Sequence, residues 1–130
     1  MKLKVMFIIS TIYMALIGLG HLFAPVAMSA GVVPADASAG LTAFLRHYSA
    51  LFIAIAVMNW MARNAEASAA LNAIVLANII AFGLAAILDV LAVLSGAGAA
   101  GLVPASINLL IAIGFFWASR TGMSSKTSQA

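Results

Sequence analysis

Six residues able to do chemistry interrupt the apolar stretches of this 130-residue chain: His21, Arg46, His47, Asn78, Asp89 and Asn108. Ionisable and amide groups in such surroundings face protein or water rather than lipid. His21 and His47 come from separate segments, and two imidazoles facing each other across a helical bundle form an axial pair for a haem; a quinone head group needs similar donors. Asp89 and Arg46 offer a carboxylate and a guanidinium, which can pair with each other or serve proton-coupled transport. Arg46 and His47 have a simpler option, snorkelling to lipid phosphate from a helix end. The candidate polar cluster or ligand-binding set is therefore His21, Arg46, His47, Asp89 and Asn108. No catalytic set accompanies it, since the sequence has no recognisable nucleophile–base pair, zinc-ligand spacing or phosphate loop. Met58 and Met61 have no His or Cys spaced with them as soft-metal ligands, so they read as packing residues and no metal site is assigned.

The elements that must position these groups follow from composition. Hydrophobic residues make up 65% of the chain and charged residues only 7%, too little polar surface for a soluble domain. The absence of cysteine removes disulfides, thiol relays, cysteine-ligated clusters and covalent haem attachment. The net charge of +3 collects at the ends of apolar runs, unlike a nucleic-acid-binding stripe, and no nucleic-acid partner is expected.

Four apolar segments, about 5–24, 41–62, 68–94 and 102–119, are each long enough to cross a ~30 Å hydrocarbon layer. Lys2 and Lys4 ahead of the first resemble a secretory signal, but the uncharged run from Val5 to Gly20 exceeds a ~7–15 residue signal core and reads as a membrane helix. Turn chemistry separates the segments: Pro25 and the stretch Gly31 to Gly40, then Arg63-Asn64-Ala65-Glu66, then Ser95-Gly96-Ala97-Gly98. Residues 121–130 read as a disordered cytoplasmic tail. With the N-terminus inside, Lys2, Lys4, Arg63, Arg120 and Lys126 fall on the cytoplasmic face and only Arg46 on the other, as the positive-inside rule requires. Trp60 and Trp117 then lie at the cytoplasmic interface as anchors. The expected fold is an all-α, four-helix up-down-up-down integral membrane bundle with both termini cytoplasmic, in the cell inner membrane.

Counting ~1.5 Å per residue from the inner basic residues places His21 and Arg46 at ~25 Å, Asp89 at ~34 Å and Asn108 at ~18 Å. Helical spacing puts Asn78, Phe82, Ala85 and Asp89 on one face of the third segment. It likewise groups Ser10, Ile17 and His21 on the first, and Asn108, Ala112, Phe115 and Ser119 on the fourth. Polar atoms from four helices could thus meet in an outward-facing cavity. Ala50 with Ala54 and Ala81 with Ala85 are candidate small-residue stripes for helix packing.

The run Phe44-Leu45-Arg46-His47-Tyr48-Ser49-Ala50, followed by Met58-Asn59-Trp60-Met61-Ala62-Arg63-Asn64, resembles the second-helix signature of small four-helix bacterial membrane proteins, some of them DoxX-like. Gly20-His21-Leu22-Phe23-Ala24-Pro25 is a second point of similarity. The resemblance implies a membrane bundle without implying an activity. Length and helix count also resemble the small multidrug-resistance transporters, whose first helix carries a proton-exchanging glutamate; Val5 to Ala24 contains no acid here. Three functions stay open: a structural or accessory subunit of a larger membrane complex or a homo-oligomer, a quinone- or haem-binding redox protein, and a small transporter working through Asp89. The lipid bilayer is a partner in all three.

Overall fold

The computed structural model describes residues 2–124. Its regular structure is helical: α1 (Leu3–Phe23), a short α2 (Pro25–Met28), α3 (Ala39–Ala62), α4 (Ala69–Leu94), a 3-10 turn (Ala99–Gly101) and α5 (Leu102–Ser124). Four of these helices are long and apolar enough to cross a membrane, so the chain is a multi-pass membrane protein built as a four-helix bundle.

Local chemistry sets the helix ends. Ser38 and Ser68 cap α3 and α4, their hydroxyls accepting from the backbone N–H of Leu41 at 3.2 Å and Leu71 at 3.1 Å, which satisfies amides that have no intrahelical acceptor. At the end of α1, Ala24 N–H bonds Gly20 O at 2.8 Å. Pro25 then opens α2 at its first position, where its missing N–H costs nothing. Beyond α4 the chain turns through Gly96 at φ +99°, a left-handed conformation that glycine adopts without steric cost.

The observed elements depart from the sequence expectation by one or two residues at several ends and more at the C-terminal end of α5. α1 and α3 each begin two residues earlier than expected, at Leu3 and Ala39. The first connection contains α2, which is too short to show as a hydrophobic period. α5 continues to Ser124, into the segment read as a tail, and the rest of that tail lies outside the described residues.

The helices associate as two pairs, α1 with α3 and α4 with α5. Between α1 and α3, Thr11 Oγ1 donates to Ala56 O at 3.3 Å, and Gly18 lies so close that a Cβ there would sit 2.7 Å from Ile53 Cγ1. Such approach is what holds helices together where lipid is as apolar as leucine and burial gives little drive. The stripes expected to do this are largely outside the bundle: Ala50, Ala54 and Ala81 are exposed and Ala85 is half-buried. Their spacing matched a packing motif, but the rotation of each helix turns them outward.

A narrower seam joins the pairs through α1 and α5, where Phe7 meets Phe115 edge-on at 5.2 Å. Phe115 in turn stacks on Phe82 of α4 at 6.4 Å. All three rings are essentially buried. By contrast α3 and α4, consecutive in the chain, approach each other closely over very little of their length, and a groove runs between them.

Candidate functional site

The best-formed polar arrangement lies toward the end of the bundle that carries the α3–α4 loop. Asn59 of α3 and Asn78 of α4 are joined amide to amide, with Asn59 Nδ2 donating to Asn78 Oδ1 at 2.8 Å and Asn78 Nδ2 to Asn59 Oδ1 at 2.9 Å. The second hydrogen of Asn59 goes to Ser10 Oγ of α1 at 3.0 Å, and that hydroxyl donates to Phe7 O at 3.1 Å. The second hydrogen of Asn78 returns to Ile74 O at 2.9 Å. Asn59 and Ser10 are fully buried and Asn78 nearly so. Every side-chain donor in the triad is used, which is what an apolar surrounding demands of buried amides.

Of the residues singled out from the sequence, Asn78 belongs to this triad; the candidate set His21, Arg46, His47, Asp89 and Asn108 falls elsewhere and divides into three groups. Asp89 and Asn108 are brought together: Asn108 Nδ2 donates to Asp89 Oδ2 at 3.0 Å. Asn108 is buried, yet its Oδ1 receives no hydrogen bond. Helical counting had set the two ~16 Å apart in depth. That ruler failed at both ends, because the non-helical stretch before Ala69 does not advance at helical rise and α5 extends beyond Arg120 to Ser124. Tyr13 of α1, packed on Phe82 at 6.2 Å, lies within electrostatic range of the Asp89 carboxylate.

His21 forms the second group. Its Nδ1 lies 2.9 Å from Ile17 O and its Nε2 3.2 Å from Ser29 Oγ. A carbonyl can only accept, so Nδ1 carries a proton, and in the neutral ring Nε2 accepts from the serine hydroxyl. The lone pair an iron would need is therefore engaged, and a haem ligand at His21 requires Ser29 to move. The ring also sits 5.8 Å from Phe52 of α3.

Arg46 and His47 form the third group. Both are exposed, and no hydrogen bond or ion pair joins either to Asp89, Asn108 or His21 among the described residues. Among the same residues no group of three or more His, Cys, Asp or Glu side chains is placed to hold a metal ion.

Comparison with known proteins returned no match. No family model, curated protein or solved structure resembles the chain closely enough to assign it.

What the polar groups can do is therefore read from their geometry alone. The Ser10–Asn59–Asn78 triad has no donor to spare and acts as a fastener of three helices. Sequence reasoning noted Asn78, used Ser10 only to define a helix face, and passed over Asn59 as one residue of a longer run. The available signal was depth: Ser10 stands ~9 Å beyond Lys4 and Asn59 ~6 Å before Arg63, amide and hydroxyl at similar height in apolar helices.

Proposed function

We propose that this chain is an accessory subunit that packs against a larger complex in the cell inner membrane. The observation that carries the reading is the exposure of α3. Only 11% of its most apolar stretch is buried within the bundle, against 39% for the final span. On that helix Ala50 and Ala54, one turn apart, are both exposed, presenting small residues where another helix could approach closely. The interior polar groups, meanwhile, are committed chiefly to one another.

The topology that goes with this reading is up-down-up-down with both termini in the cytoplasm. The excess of Lys and Arg on one side supports it. So do the contacts, because positions ascending α1 from Ser10 to Gly18 meet positions descending α3 from Asn59 to Ile53. Positions ascending α4 from Phe82 to Asp89 likewise meet positions descending α5 from Phe115 to Asn108. The resemblance of the second helix to that of DoxX-like bundles is in keeping with this course.

The test is gentle extraction of the full chain from its native membrane, with an absorption spectrum and mass spectrometry of what co-purifies. Stoichiometric larger subunits, lost when Ala50→Leu and Ala54→Leu are combined, are the expected result. A monomer with no protein partner overturns the reading, whether colourless or carrying a small ligand. A Soret band or bound quinone that disappears in His21→Ala moves the assignment to redox chemistry.

A further inference from the structure

Two cavities at the end of the bundle near the α3–α4 loop lie side by side and share part of their lining. The groove between α3 and α4, of about 670 Å³, is lined almost wholly by apolar groups, among them Val57, Met58, Met61 and Ile74. It shares Ala62, Ala65 and Leu71 with a second cavity of about 330 Å³ that carries Lys4, Arg63 and Asn64. An apolar trough thus adjoins a chamber whose lining includes the two cationic residues Lys4 and Arg63.

Three further features favour an anion in the chamber. The Arg63 guanidinium is held in place, donating to Trp60 O and stacked 3.5 Å over the Trp60 ring, so ordering it on a ligand costs little. Lys4 is exposed and carries no salt bridge among the described residues. Glu66, the one carboxylate of the connecting loop, lies outside the lining of both cavities.

We infer that this cleft binds one anionic phospholipid, with its phosphate between Lys4 and Arg63 and the upper part of an acyl chain along the α3–α4 groove. The groove follows α3 from Ala54 to Met61, a rise of ~10 Å. Juxtamembrane cations attract anionic head groups in general; here the apolar trough adds a requirement for a chain attached to the phosphate. The inference meets the accessory role at Ala54, which lines the groove and belongs to the exposed alanine pair; Lys4→Gln and Arg63→Gln leave both alanines in place, so their effect on lipid reads this site alone.

The experiment is a titration of the delipidated full chain in neutral detergent, with native mass spectrometry counting bound molecules. The probes are dioleoyl phosphatidylglycerol, dioleoyl phosphatidylcholine and inorganic phosphate. One phosphatidylglycerol per chain is expected at concentrations where phosphatidylcholine does not bind. Lys4→Gln and Arg63→Gln should each weaken it about fivefold. Lys4 is exposed, so its variant leaves the bundle intact and its circular dichroism unchanged. Ala54→Phe, which narrows the groove without altering charge, should weaken the lipid as well. Equal binding of the two lipids, or full retention of phosphatidylglycerol in the Lys4→Gln, Arg63→Gln double variant, overturns the site. So does displacement by millimolar phosphate, which would make it a free-anion site with no use for the groove.

Discussion

The two ends of the bundle use their polar residues differently. Near the α3–α4 loop, Ser10, Asn59 and Asn78 are buried and every donor has its acceptor. At the other end Asn108 keeps an oxygen without a partner, Asp89 is half-buried and Arg46 and His47 are exposed. One end is a closed hydrogen-bonded unit, costly to open because each amide would lose its partners in an apolar medium. The other is loosely committed, and changes there have less to break.

Substitutions can break or sharpen that contrast. Asn59→Leu removes the centre of the triad, taking the donor from Ser10 Oγ and both amide bonds from Asn78 while their bonds to Phe7 O and Ile74 O remain; we expect a loss of about 2 kcal/mol, measured by reversible unfolding in mixed micelles followed by circular dichroism. No loss would erase the distinction between the ends. Gly18→Leu tests the α1–α3 contact without touching a polar group. With a Cβ already 2.7 Å from Ile53, the helices must part, at about 1–2 kcal/mol in the same assay.

The opposite end should respond weakly. Asn108→Leu deletes one bond to Asp89 and at the same time removes the unpartnered oxygen, so its net effect is expected within about 0.6 kcal/mol. A cost as large as that of Asn59→Leu would show that the Asp89–Asn108 pair is structural after all. Arg46→Gln, at an exposed position, should leave the unfolding midpoint unchanged to within about 0.5 kcal/mol; a larger loss would reveal a partner for the guanidinium.

The existence of four spanning helices was legible in the sequence because the apolar runs are long and their breaks carry Pro, Gly and charge. The inward faces of α4 and α5 were legible too. Phe82 and Asn78, then Phe115 and Asn108, are buried where helical spacing grouped them. Partners were harder to read. Depth counting assumed continuous helix from charged residue to charged residue, and the non-helical stretch before α4 together with the extra turn of α5 shifted Asp89 and Asn108 against each other. The Asn59–Asn78 pair was missed for another reason. α3 is so rich in alanine and aliphatic residues all round that no period marks its inner face, and only the neighbours decide that Asn59 points in while Ala54 points out.

The division into α1–α3 and α4–α5 pairs also bears on how the chain is made. Each pair is a hairpin of helices consecutive along the membrane-crossing path, so most close packing is local in sequence and can form as each hairpin enters the bilayer. Joining the hairpins closes few contacts beyond the aromatic seam and one reciprocal amide pair. Asn59 and Asn78 act between the hairpins as a latch, fixing the register of two otherwise smooth surfaces.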